Sequence, residues 1–362
     1  MNSAERTDPG YFIIKLGALG DVVQLTALLR ELRGARPHAR ITVGTTAECV
    51  PLLREHSCVD DCMVFPEGWR SGAHAFEPRR IYKFWRELRT FRQTTAIIAH
   101  RHPVIPLALR AAGFRRIASF APSVGAAWRG ITHAARFDPV RHRLENQREL
   151  LRALGLEPTV LAPRLELNSA EIAHGEERWQ WAGTRLRFAL APGGAQNHWS
   201  AMPNRRWPRE RFHDLAAWLA QKNIAPAWIG SKNDRNLASD QGMNWAGRLS
   251  LRESLGVIAR ADFLIANDSA PLHMAGALQT PCLGLFGPTR GEHIMSADSG
   301  LALQGRVACG PCYNPMDSAR GQAYRCPRPL CMEAISLHQV RAVIQAWLDR
   351  RMKSFISQPE SA

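Results

Sequence analysis

The chain has no apolar run approaching the roughly 18–20 residues that a membrane-spanning helix needs. Its start, MNSAERTDPG, lacks the basic-then-apolar order of a secretory signal, so a cytoplasmic location is expected. Acids are scarce: 32 Asp and Glu face 47 Lys and Arg, and the formal net charge is +15. That imbalance favours anionic partners, whether nucleic acid, a membrane surface or phosphorylated small molecules, and does not choose among them. Wholesale disorder does not fit, because 45% of residues are hydrophobic and only 22% charged. The eight cysteines do not argue for a disulfide scaffold, since thiols in a cytoplasmic chain of this length stay reduced; free thiols or a metal site remain. The dinucleotide fingerprint G-x-G-x-x-G is missing too, with only the G-x-x-G of Gly17 to Gly20 in its place.

What is present is a recurring strand, polar turn and helix, in a chain of 362 residues that suits two domains. The clearest case runs from Phe263 to Arg290. Phe263 to Ala266 reads as a buried parallel strand, Asn267-Asp268-Ser269 as its polar end, and Pro271 to Leu278 as a helix carrying His273. Thr280-Pro281 stops that helix before a second strand, Cys282 to Phe286, and a second turn, Gly287-Pro288-Thr289-Arg290. Asn, Asp and Ser are helix-capping types, which explains the triplet without a ligand; two such turns on adjacent strand ends also make a cleft edge.

The same pattern opens the chain. Tyr11 to Leu16 reads as a strand, Gly17 and Gly20 as a tight turn, and Asp21 as the first-turn acid of the next helix. A carboxylate there is a good cap; the same environment keeps it ionised and able to accept a proton. Strands at 41–43, 62–65 and 96–99 alternate with helices near 84–91, 104–112 and 144–154, which calls for a parallel sheet covered on both faces. The stretch 122–139 reads as loop. Eight arginines between Arg101 and Arg143 (101, 110, 115, 116, 129, 136, 141 and 143) face one acid, Asp138. That run fits either a solvated face or an acidic acceptor or membrane surface.

The pattern restarts after a boundary near Asn168. A helix at 172–181 and a strand at 187–190 lead into Gly193-Gly194, then a polar loop carrying Arg205 and Arg206, then a helix after Pro208. Glycine N–H groups and guanidinium groups of this kind bind phosphate oxygens. A strand at 225–229 closes on Gly230 to Asp234, where a carboxylate can take a ribose diol or cap a helix. Cys309, Cys312, Cys326 and Cys331 are spaced C-x2-C, thirteen residues, then C-x4-C, an approximate zinc or iron spacing that also suits a loop packing its thiols. An amphipathic helix at 336–348 ends the pattern.

Taken together, LGALGDVV, APGG followed by RRWP, ANDSAPLHMAGALQTPCLGLFGPT and the cysteine loop ending in CMEAI resemble glycosyltransferase family nine, the ADP-heptose:lipopolysaccharide heptosyltransferases. The matches span residue 12 to about residue 335. The resemblance implies an α/β protein of GT-B architecture, two Rossmann-like parallel-sheet domains facing across a cleft, with the last helix crossing back to the first domain. The implied division is an acceptor domain over residues 1–168, a nucleotide-sugar domain over 169–335, and a helix and tail over 336–362. It further implies an inverting transfer from ADP-heptose to an anionic lipid-linked saccharide at the inner membrane surface, with no catalytic metal and no nucleic-acid partner.

Carried over by residue, Asp21 is the general base and Arg205 the diphosphate clamp, standing where the family has lysine. Asp234 meets the ribose, Asp268 the donor sugar, and Ser269 the phosphates. Gly193, Gly194, Arg206, Asn267 and His273 complete the donor side, and Gly17, Gly20 and Arg101 the acceptor side. Ala270 replaces the usual glycine. Two alternatives have other signatures: a heptosyltransferase acting on protein would use the cysteine loop to hold structural zinc or iron, and a nucleic-acid-binding module would rest on charge alone.

Overall fold

The computed structural model describes residues 10–66, 78–102, 104–121, 130–194, 196–197, 200–295, 300–314 and 326–356. The first sheet is built from β1 (Tyr11–Ile14), β2 (Ile41–Thr45), β3 (Asp61–Val64), β4 (Thr95–Ile98), β5 (Arg116–Phe120) and β6 (His133–Ala135). All its pairings are parallel and the order is β3-β2-β1-β4-β5-β6. Parallel neighbours need crossover connections, and α1 (Leu19–Ala35), α2 (Pro78–Thr90) and α3 (Ile105–Ala111) supply helical ones, while α4 (Arg143–Ala153) follows the last strand, β6. Every residue of β1 and β4 is buried, as a strand covered on both faces must be.

The second sheet repeats the plan. Its strands are β7 (Arg187–Ala191), β10 (Ala225–Trp228), β11 (Met243–Asn244), β12 (Phe263–Asn267), β13 (Cys282–Phe286) and β14 (Leu301–Gln304), with β8 (Gln196–Asn197) and β9 (Ser200–Ala201) pairing apart as a small antiparallel ribbon. The order β11-β10-β7-β12-β13-β14 has the same topology as the first sheet. Its helices are α5 (Ser169–Arg178), α6 (Arg209–Gln221), α7 (Leu251–Ala259), α8 (Ala270–Ala277), α9 (Leu330–Glu333) and α10 (Leu337–Ile356). In both sheets the strand order reverses beside the first strand, between β1 and β4 and between β7 and β12. Open α/β sheets bind ligands at that switch point.

The two sheets share one core. A single apolar cluster takes in Ile13, Leu25 and Leu28 of the first domain with Leu264, Leu272 and Met274 of the second. The linker between them is clamped: buried Arg148 donates to Glu31 at 2.8 Å and to the Leu161 carbonyl at 3.2 Å, and the Leu161 N–H donates to Glu31 at 3.0 Å. Farther along, the Leu165 N–H donates to the Ala277 carbonyl at 3.0 Å. Leaving one of these buried groups unpaired costs about 1–3 kcal/mol, so the domains' relative placement is built in.

Some sequence expectations are corrected. The segment read as loop at 122–139 contains β6, three residues long and paired only to β5, too short to show a period; residues 122–129 lie outside the described set. Edge strand β14 follows Arg290, where no strand was expected. Along its described contacts the last helix follows the second domain. Its apolar side docks on the second sheet, with Trp347 against Phe188 and Phe263 at ring distances of 5.8 and 4.8 Å, and Arg351 pairs with Asp262 at 2.7 Å. Among the described residues no helix is long and apolar enough to cross a membrane.

Candidate active site

The turn after β1 delivers three of the expected residues. Gly17, at φ +83°, lets the backbone reverse, and Gly20 lies so close to the second domain that a Cβ there would stand 2.5 Å from the His273 ring. Asp21 occupies the first turn of α1, as expected. Two cations hold it: Lys15 Nζ lies 3.3 Å from Oδ2 and Arg143 Nη1 donates to Oδ1 at 3.1 Å. Burial raises the carboxyl's pKa, but the charges of Lys15 and Arg143 more than reverse it, holding Asp21 well below the usual carboxylate range. It is ionised at any physiological pH.

The turn after β12 makes the opposite wall. Asp268 is buried, and Arg205 Nη1 approaches its Oδ2 to 3.3 Å. Burial again pushes this carboxyl up, and Arg205 and Arg143 outweigh it, so Asp268 is also ionised. Arg205 is fixed by its Nε on the Met202 sulfur at 2.9 Å and by lying over the Tyr313 ring at 4.8 Å. His273 joins the walls. Its Nε2 stands 3.9 Å from Asp268 Oδ1 and its Nδ1 3.4 Å from the Gln24 amide of α1. Burial lowers the imidazole below its ordinary value against the pull of Asp268 and Asp21, so it is neutral near pH 7.

The remaining donor-side residues divide by what they already hold. Gly193 packs on Asp234, where a Cβ would fall 2.1 Å from the carboxyl carbon, and Gly194, at φ +85°, lies against Ser269. Arg206 donates to the Gly194 carbonyl at 3.0 Å and approaches Asp234 to 3.9 Å. Asp234 acts as a cap: Oδ2 accepts from the Ser231 N–H at 2.8 Å and its hydroxyl at 2.7 Å, leaving Oδ1 toward Arg206 and Gly193. Ser269 caps α8 through its backbone only, with its hydroxyl donating to the Asn267 carbonyl at 3.1 Å. Asn267 is committed internally. Its amide donates to the Pro192 and Gly193 carbonyls at 2.8 and 3.3 Å, and its oxygen accepts from the Trp207 N–H at 2.9 Å. It therefore fixes the glycine turn and the Arg205 loop rather than meeting a ligand.

A cleft cavity of about 300 Å³ opens between the domains, lined from the first by Lys15, Asp21, His100, Arg101, Arg141 and Arg143 and from the second by Thr289, Arg290, His293 and Tyr313, while Asp268, Arg205 and His273 are not among its described lining residues. Arg101, at the end of β4, stacks on Phe137 at 5.5 Å. Asp21 is the one acid among the described lining residues, against five Lys and Arg. Reading the sequence missed Lys15 and Arg143. A lysine 8% exposed at the end of an otherwise apolar strand was the available signal for the first; Arg143 was counted in the basic run and given no role.

The cysteine loop behaves differently from its spacing. Cys312 is charge-coupled to Cys326 and Cys309, and Cys331 to Cys312 and Cys326, so the thiols do gather. Yet Cys331 is turned into the apolar core, against Met332 and Gly287, while Cys309 is exposed. Burial holds Cys312 and Cys331 above the ordinary thiol pKa, hence protonated. Among the described residues no group of three or more His, Cys, Asp or Glu is arranged to hold a metal; residues 315–325 of the loop lie outside the described set.

Comparison with known proteins gives a consistent picture. The profile of glycosyltransferase family 9 (heptosyltransferase) matches residues 81–316. Lipooligosaccharide heptosyltransferase 2 of Haemophilus influenzae is 25% identical over 302 residues, covering 76% of this chain and 82% of that protein. Among solved structures, the glycosyl transferase family 9 protein from Veillonella parvula superposes with a TM-score of 0.74 at 19% identity, covering 96% of this chain and 99% of that one. The E. coli ADP-heptose LPS heptosyltransferase II superposes at 0.68 with 20% identity over 92% and 99% of the two chains. The fold shared with the last two is GT-B.

Proposed function

Because this chain belongs to glycosyltransferase family 9 (heptosyltransferase), we propose that it moves a heptose from ADP-heptose to an anionic, lipid-linked saccharide of the lipopolysaccharide core, inverting the anomeric carbon. The observation that carries this reading is the pair of walls: ionised Asp21 on one side, the buried Asp268–Arg205 pair on the other, with neutral His273 touching both. Asp21 accepts the proton of the acceptor hydroxyl as that oxygen attacks the anomeric carbon from the first-domain side. The bond to the diphosphate breaks on the far side, and Arg205, with Arg206 beside the Gly193-Gly194 turn, receives the negative charge that develops there. Asp268 holds hydroxyls of the donor sugar. Asp234 offers Oδ1 to the ribose.

No catalytic metal enters the reading, since base and charge clamp are both side chains. The relative's name supports a lipooligosaccharide acceptor, and the cationic cleft supports an acidic one. The reading places the work at the inner face of the cytoplasmic membrane, with residues 1–168 taking the acceptor and 169–335 the nucleotide sugar. The test is direct: thermal-shift titration with ADP- and UDP-sugars side by side, then mass spectrometry of a core saccharide incubated with ADP-heptose. A mass gain of one heptose is expected; stabilisation by UDP-sugars alone, with no heptose added, overturns the assignment.

A further inference from the structure

A base works in proportion to its basicity, and Asp21 has little. Lys15 and Arg143 each take one of its carboxylate oxygens, at 3.3 and 3.1 Å. Neutral His273 on α8 also faces it, Arg205 is engaged with Asp268, and Arg290 of the second domain lines the same cavity. Such a carboxylate is ionised but a reluctant proton acceptor. The same two cations line the cleft that also presents Arg101, Arg141 and Arg290. Attraction falls with distance and with competing charge, so a cation shared between two anions holds each less strongly. The two differ in freedom. Lys15 is enclosed at 10% side-chain exposure, whereas Arg143, at the first position of α4, is 30% exposed and lines the cavity.

We propose that Arg143, seconded by Lys15, is a ligand for a carboxylate or phosphate of the acceptor, and that its transfer from Asp21 to that group restores Asp21 as a base, so that the acceptor triggers its own deprotonation. This rests on the transferase reading above. In the step, the acceptor O–H bond breaks and its proton passes to Asp21 while the oxygen's electron pair forms the bond to the anomeric carbon. The bond from that carbon to the diphosphate breaks, and its electron pair leaves with ADP. An anion on the acceptor then raises turnover as well as affinity, which is remote binding energy applied to the reacting centre. It also keeps the base idle when only donor is bound.

The test uses the full chain with ADP-heptose and two lipid-free core saccharides, one carrying its carboxylates and phosphates and one with these groups reduced or removed. For the unmodified protein, kcat on the charged saccharide should exceed kcat on the neutral one by about tenfold, as expected when a general base regains basicity. Arg143→Gln should lose most of that preference, raise KM for the charged saccharide, and turn over the neutral saccharide faster than the unmodified protein does. Arg143→Lys should restore part of the preference. Equal loss on both saccharides in Arg143→Gln, or a preference confined to KM, overturns the proposal. A second measurement needs no variant: the acid limb of kcat should lie at higher pH with the charged saccharide, because Asp21 freed of a cation protonates at higher pH, and coincident limbs overturn it. If the unmodified protein adds heptose to neither saccharide, the transferase reading itself fails.

Discussion

The turn after β1 and the turn after β12 begin alike and end as different instruments. Each is a parallel strand closing on an acid at the start of a helix, at the switch point of a six-stranded sheet. In the first, Asp21 keeps 32% of its side chain accessible and is held by Lys15 and Arg143. In the second, Asp268 keeps 4% and faces an arginine fixed by a thioether and a tyrosine ring. Accessibility suits proton traffic with an incoming hydroxyl; enclosure suits holding a sugar still. The same topology thus supplies either role, and the neighbours decide which.

The largest break in that contrast should come from Asp21→Ala. Turnover is expected to fall by about 10²–10⁴, the usual scale for a general base, while donor affinity by calorimetry stays within twofold. Equal loss of both would move Asp21 to the donor side. Next comes Arg205→Gln, for which kcat should drop by about 10²–10³ as the leaving charge loses its partner, with a smaller rise in donor KM. A change in KM alone would make it a binding residue only.

Asn267→Ala probes the scaffold of the second turn. It strands the Trp207 N–H and the Pro192 and Gly193 carbonyls, each worth about 1–3 kcal/mol when left unpaired, so a lowered Tm should accompany weaker donor binding. An unchanged Tm would contradict its bracing role. The smallest effect concerns pH. Glu253, on α7, is held at about 2 by the Ser250 N–H and hydroxyl and by His174 and Arg178, although partial burial works against them. A carboxyl depressed on folding stabilises the native state above its unfolded pKa and loses that contribution as pH falls through the folded one. Acid titration of Glu253→Gln should therefore show a shallower loss of stability between about pH 4.5 and pH 2 than the unmodified chain.

Much of this was legible in the residues. Long buried strands such as Phe263–Asn267 and capped helices such as α8 announce themselves through uninterrupted apolar runs and polar stops. Asp21 and Asp268 stand out because they follow strand ends, where ligands meet parallel sheets, and Arg205 through the family resemblance. What escaped was set by tertiary contact. β6 and β14 are short edge strands whose pairing, not pattern, defines them. Asn267 reads as a cap or ligand until its amide is seen bridging two segments 60 and 75 residues away. Arg143 gains its role only from α4 lying beside the first turn of α1, 122 residues earlier in the chain. The path of the final helix depends on Trp347 finding Phe188 and Phe263, which amphipathicity alone does not specify.

The continuous interior that joins Leu25 and Leu28 to Leu272 and Met274 sets how this enzyme can breathe. Jaws hinged on a bare tether swing wide; jaws welded at the root can only flex at the lips. Heating should therefore melt both halves together in a single calorimetric peak.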